Sequence, residues 1–211
     1  MTVGSERNCY MIIIGLAGGI GIGKSTTAAY LRSLGIPVFN ATGAAKSVAV
    51  SKGSESLQKI AQLLGSESIL PNGELNRPWV AEKVFHDKAL LKQFEAILQE
   101  QVWNDVQAFL AFQKECGAKV VFLDLPLMIE RGWHTIANSV WLIAAPKELR
   151  IQRAIQRDKG LTPETVVQRI NAQPSLEELK KYAHVIIDNS GDFEHTKVQL
   201  LEQLRKVELG L

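Results

Sequence analysis

The sequence predicts an α/β protein: a parallel β-sheet covered by helices on both faces, with a helical segment inserted between strands. Three observations carry this. Residues 11–17, Met11 to Ala17, are apolar without polar alternation, as a strand buried on both faces requires. Similar runs recur at 119–124, 140–145 and 185–188, and helical periodicity lies between them, as parallel strands need for their crossovers. Residues 54–113 interrupt this alternation with helical pattern alone.

The elements follow in order. The apolar run at 11–17 opens into glycine-rich sequence, and residues 24–34 read as a helix ended by Gly35. Residues 36–39 form a short second strand. Leu57, Ile60, Ala61 and Leu64 recur at i, i+3, i+4 and i+7, predicting a helix over 54–64, and Pro71-Asn72-Gly73 marks a turn. Residues 78–85 and 88–113 are helical, the second carrying Leu91, Phe94, Leu98, Val102 and Val106 on one stripe. After strands at 119–124 and 140–145 come a helix over 147–158 and another opened by Pro163. A last strand at 185–188 precedes a helical tail from Phe193.

Composition bounds the function. The 211 residues, 46% apolar and 22% charged, can bury a core without covalent staples. A net charge of +2 gives no bulk electrostatic case for nucleic acid or membrane binding. Cys9 and Cys116 match no metal or redox spacing and read as reduced thiols of a cytoplasmic protein. The apolar stretch 11–22 is too short to span a bilayer and has no cleavage site for a secretory leader. Residues 1–10 read as an extension, and 11–211 as a single domain. His86, His134, His184 and His195 form no ligand spacing; the four tryptophans read as packing residues.

Gly18-Gly19-Ile20-Gly21-Ile22-Gly23-Lys24-Ser25 matches glycine, four residues, then Gly-Lys-Ser, between a strand and a helix. Such a loop turns successive backbone N–H groups inward as an anion nest, backed by a helix N-terminus. Lys24 supplies charge for the β- and γ-phosphates of a nucleoside triphosphate, and Ser25 a hydroxyl for Mg²⁺. The fold class is thus the P-loop NTPase type. A second carboxylate for Mg²⁺ commonly sits at the end of a neighbouring strand, and Asp124 occupies that position. Asp188-Asn189-Ser190-Gly191 has the spacing of a GTPase switch, but it follows the last strand, and no Asn-Lys-x-Asp guanine-reading motif is present. Arg150, Arg153 and Arg157 share one helix face, which could fold over a triphosphate with bidentate guanidinium groups. With Asp158-Lys159-Gly160 after it, this face looks like the lid of a small-molecule kinase, over about 147–175.

These motifs, in this order, resemble the dephospho-coenzyme A kinase family. The likeness includes Gly15 through Thr26, Leu34-Gly35-Ile36-Pro37-Val38, Gly73-Glu74-Leu75-Asn76-Arg77, Val84-Phe85, Asp124-Leu125-Pro126-Leu127-Met128-Ile129-Glu130, Arg153 and Arg157, Ala172-Gln173, and Asp188 through Gly191. The resemblance implies an ATP core, a CoA-binding subdomain at 54–113 and an arginine lid. It implies ATP-dependent phosphorylation of the ribose 3′-hydroxyl of dephospho-CoA. ATP contacts are then expected at Gly18, Gly19, Gly21, Ile22, Gly23, Lys24, Ser25, Thr26, Asn189 and Gly191. Mg²⁺ contacts fall at Ser25 and Asp124, and acceptor contacts at Arg77, Lys46, Pro126 and Leu127. Lys24, Arg153, Arg157 and Asp124 would carry catalysis, on a small-molecule acceptor.

The departures fall at chemically important places, the first two of them on the acceptor side. The family carries Asp-Ala-Asp after its second strand, the first Asp serving as base; here stands Asn40-Ala41-Thr42. Asparagine accepts a hydrogen bond but takes no proton at neutral pH. Gln99-Glu100 replaces His-Pro, Arg150 stands where the lid helix usually has Gln, and Lys46 where Arg or His is frequent. Two alternatives stay open: a relative with another acceptor, and a non-catalytic nucleotide-binding regulator.

Overall fold

The structure is a computed structural model and describes residues 10–41 and 53–209. Thr42, Lys46 and Cys9, with most of the expected extension, lie outside the described residues. Two compact units make up the chain: Met1–Phe39 with Cys116–Leu211, and Asn40–Glu115.

The first unit is built on a five-stranded sheet of order β2-β3-β1-β4-β5. Its strands are β1 (Ile12–Ala17), β2 (Val38–Asn40), β3 (Val120–Asp124), β4 (Ser139–Ala144) and β5 (Val185–Asp188). β1 pairs in parallel with β3 and β4, and β4 with β5. Alternate residues of these strands feed two different cores, which explains their unbroken hydrophobicity. Ile14, Leu16, Phe122, Trp141 and Ile143 pack with Leu31 of α1 (Lys24–Ser33) and with Leu200 and Leu204 of the C-terminal helix, Phe193–Leu209. Ala17, Val140 and Leu142 pack on the other face with Leu179.

The second strand starts two residues later than the periodicity predicts, at Val38 rather than Ile36. Ile36 instead closes α1, donating its N–H to Leu31 O at 3.2 Å. Pro37 has no N–H to give a ladder, and its carbonyl accepts from Phe122 N at 2.9 Å. Asn40 is therefore the last residue of β2 rather than the residue after it.

The second unit holds α2 (Glu55–Leu64), α3 (Arg77–Phe85) and α4 (Lys88–Glu115). Ser54 caps α2 and Asn76 caps α3, each accepting from the backbone three residues on. Leu57, Ile60, Leu64, Leu75, Val80 and Val84 form this unit's own core, joined by Leu91, Phe94 and Leu98 of the predicted stripe. Glu100, in the replaced His-Pro position, pairs with Lys59 at 2.8 Å, and the next residue, Gln101, accepts at Oε1 from Ser56 Oγ at 3.1 Å, both tying α4 to α2.

Between β4 and β5 lie α5 (Lys147–Arg157), α6 (Pro163–Asn171) and α7 (Leu176–Lys180). Thr162 caps α6, and Ser175 with Glu178 forms a capping box on α7. Ala154, Leu161, Val166 and Ile170 make a small core of their own, against which Ile20 of the glycine loop packs.

Candidate active site: the phosphate loop and its supports

The β1–β3 register pairs Gly15 with Leu123. One residue further, Asp124 ends β3 beside the strand that runs into the glycine loop. This is the crevice at the carboxyl ends of parallel strands, where α/β sheets bind ligands.

The N-terminus of α1 is left open. Gly23 stands at the cap position with φ 102°, no side chain caps the helix, and its first turn holds no acidic residue. The first-turn N–H groups are therefore open to an anion with no competing capping side chain. Ser25 and Thr26 are exposed there. Lys24 folds back on the loop and donates Nζ to Gly18 O at 2.6 Å.

The electrostatics converge on Lys24. Burial lowers its pKa most; Asp124 and Glu130 pull it back up, and Arg150 and Arg157 push it further down. Burial likewise raises the Asp124 carboxyl, against the attraction of Lys24 and Arg32. Asp124 is only 4% exposed. An oxygen donor buried at a phosphate loop, together with the exposed Ser25 hydroxyl, is a hard-ligand pair that fits Mg²⁺.

Side chains distant in sequence hold the loop. Asn189, 3% exposed, donates Nδ2 to Ile22 O at 2.8 Å and accepts at Oδ1 from Thr196 Oγ1 at 2.9 Å. Arg153 Nη1 donates to Asn189 O at 2.8 Å. Arg150 Nε donates to Ile20 O at 3.0 Å, and Gln173 Oε1 accepts from Ile20 N at 2.9 Å. The approach is close enough to require glycine. A Cβ on Gly23 would run into Asn189 Nδ2, and one on Gly21 into the Arg150 carbonyl, where φ is also positive at 70°.

The predicted arginine face therefore divides. Arg150 and Arg153 are engaged with the loop and its support, while Arg157 is exposed and close enough to Lys24 to act on its charge. After Asp124 the chain turns sharply: Pro126 is exposed, and Leu127 is 42% exposed with φ 56°, a left-handed backbone rare for so bulky a residue. In the second unit Arg77 borders a cavity of about 290 Å³ whose apolar lining includes Leu75, Val80, Val84, Phe94 and Leu98. Asn40, at the end of β2, is half-buried. Gly191 lies in the turn between β5 and the C-terminal helix. Arg32, Thr196 and the grip of Gln173 escape sequence reading, because the Gln173 partner lies 153 residues away and no local pattern marks such a bond. Cys116 is an exposed free thiol.

Known proteins are similar to this chain in sequence and in fold. A sequence model of the dephospho-CoA kinase family matches residues 12–195. Dephospho-CoA kinase of Dehalococcoides mccartyi is 36% identical over 197 residues, covering 92% of this chain and 98% of its own length. The enzyme of Syntrophotalea carbinolica is 32% identical over 201 residues, covering 95% of this chain and 94% of its own. A crystal structure of a Thermus thermophilus protein superposes with TM-score 0.77 at 34% identity, covering 93% of this chain and 98% of that one. Open phosphate loop, buried strand-end carboxylate and arginine helix are thus set in a chain that belongs to the dephospho-CoA kinase family.

Proposed function

We propose that this protein transfers the γ-phosphoryl group of ATP to the ribose 3′-hydroxyl of dephospho-CoA, giving CoA and ADP. This is the last step of coenzyme A biosynthesis and a cytoplasmic reaction. The observation that carries the reading is the uncapped N-terminus of α1, with Lys24 in its first turn and the buried Asp124 acting on it, in a chain of this family.

The backbone of Gly18, Gly19, Gly21, Ile22 and Gly23, with the amides of Lys24, Ser25 and Thr26, surrounds the phosphates. Asn189 and Gly191 lie toward the adenine. Lys24 exchanges the Gly18 carbonyl for the β- and γ-phosphate oxygens. Ser25 and Asp124 hold Mg²⁺, which when bound neutralises phosphate charge. Arg153 and Arg157 add positive charge as the phosphoryl group moves. Transfer through a loose transition state depends chiefly on such positioning and neutralisation. Arg77, Lys46, Pro126 and Leu127 orient the acceptor. Asn40 accepts a hydrogen bond from the acceptor hydroxyl without taking its proton, so a general-base contribution of roughly 10²–10⁴ in rate is absent at that position.

The test is ADP formation from Mg-ATP by the purified protein, with and without dephospho-CoA at millimolar concentration. Turnover that depends on dephospho-CoA is the expected result. Mg-ATP binding with no turnover above the acceptor-free background overturns the proposal, in favour of another acceptor or a regulatory role.

A further inference from the structure

We propose that Arg150 is a positioning residue: with Gln173 it clamps Ile20 through the two peptide groups on either side of its Cα, and its hydrogen bond, not its charge, is what nucleotide binding uses. The inference rests on the reading of the loop as a phosphate site and deepens it.

Ile20 lies at the crest of the loop, and each of its three groups is held by the lid region. Its N–H donates to Gln173 Oε1 at 2.9 Å. Its carbonyl accepts from Arg150 Nε at 3.0 Å. Its side chain packs against the core of Ala154, Leu161, Val166 and Ile170, shared by α5 and α6. The N–H belongs to the Gly19–Ile20 peptide and the carbonyl to the Ile20–Gly21 peptide, so the two bonds and the side-chain packing together fix both planar groups that meet at the Ile20 Cα. An anion nest works only while its N–H groups converge, so fixing the crest lowers the ordering cost of binding phosphate. Arg150 reaches the crest through Nε, the guanidinium nitrogen nearest its backbone, while its Nη2 lies beside Gly19: a Cβ built there would stand 2.5 Å from it.

The chemistry of that bond separates donor from charge. In glutamine, Nε2 is bonded to Cδ, as Nε is in arginine; Arg150→Gln therefore keeps an N–H donor at the same point of the side chain and removes the positive charge. Arg150→Met puts a methyl group at that point and removes both. The two variants discriminate a clamp from a phosphate ligand.

The experiment is calorimetric titration of the whole protein with Mg-ADP, alongside thermal melting. The expected result is a Kd within about threefold of the unaltered protein for Arg150→Gln, and at least tenfold weaker binding for Arg150→Met, both at similar melting temperature. Gln173→Met is expected to weaken binding comparably. The double change with Arg150→Met should be no worse than about threefold beyond the weaker-binding single variant, because both hold the same residue of the loop. A merely structural role would lower melting temperature without splitting Gln from Met. Equal loss of affinity in Arg150→Gln and Arg150→Met overturns the proposal and makes Arg150 a direct charge on the phosphates. Unchanged affinity in both also overturns it. Mg-ADP needs no acceptor, so failure of dephospho-CoA turnover touches only the proposed function. Absence of Mg-ADP binding by the unaltered protein overturns both.

Discussion

Asp124 is a carboxylate kept in a place that disfavours its charge. Burial raises its pKa, and Lys24 and Arg32 offset only part of this. A carboxyl with a folded-state pKa above its unfolded one contributes stability that is present below the unfolded pKa and lost as pH rises through the folded pKa. Above that folded-state pKa the ionised group therefore burdens the fold, even with Lys24 beside it. Asp124→Asn is expected to raise the melting temperature at pH 7, by about 2–4 °C for each kcal/mol recovered, and to lower kcat by roughly 10²-fold or more. Melting scans and turnover assays on the same preparation check both halves. Activity that needs the ionised form should fall as pH drops through a pKa above the ordinary carboxylate range, read from kcat/KM against pH. At the altered position, Asn40, the expectation reverses. Asn40→Asp restores a proton acceptor and should raise acceptor-dependent kcat, by roughly 10²-fold or more, in the same coupled assay.

At the scale of elements, the strand, loop and helix around Lys24 were legible because their signals are local. A two-sided apolar run, a glycine pattern and a helical period all sit within 25 residues of chain. The supports of that loop were not legible. Asn189 meets Ile22 across 167 positions and Arg150 meets Ile20 across 130. Helix periodicity placed Arg150, Arg153 and Arg157 on one face but could not say that two of them serve backbone carbonyls. The start of β2 shifted for a reason the sequence did show, since Pro37 cannot donate to a ladder. The loop–β5 junction yields its own prediction. Gly23→Ala forces a Cβ at φ 102° into Asn189 Nδ2. It is expected to weaken Mg-ADP binding at least tenfold, by calorimetry, while the circular dichroism of the sheet and helices is unchanged.

The whole molecule carries separate hydrophobic cores in its two units. Damage to one need not reach the other. Ile60 is fully buried in the helical unit. Ile60→Ala should cost about 2–5 kcal/mol there. Amide exchange is expected to quicken in α2, α3 and α4 while β1, β3 and β4 keep their protection. Mg-ADP affinity should stay within about twofold, and the KM for dephospho-CoA should rise. Uniform loss of protection across the sheet would show a single cooperative unit instead.

Leu127 holds a left-handed backbone with an exposed apolar side chain, a combination that costs about 1–2 kcal/mol relative to a residue at ease there. Its position two residues after the buried turn residue Leu125, and three after Asp124, gives that cost an evolutionary reading. In a lineage selected for heat resistance but released from phosphoryl transfer, Leu127 would drift to Gly or Asn and Asp124 to Asn, and the two changes would arrive together. A lineage that keeps both carries a stability cost at each position.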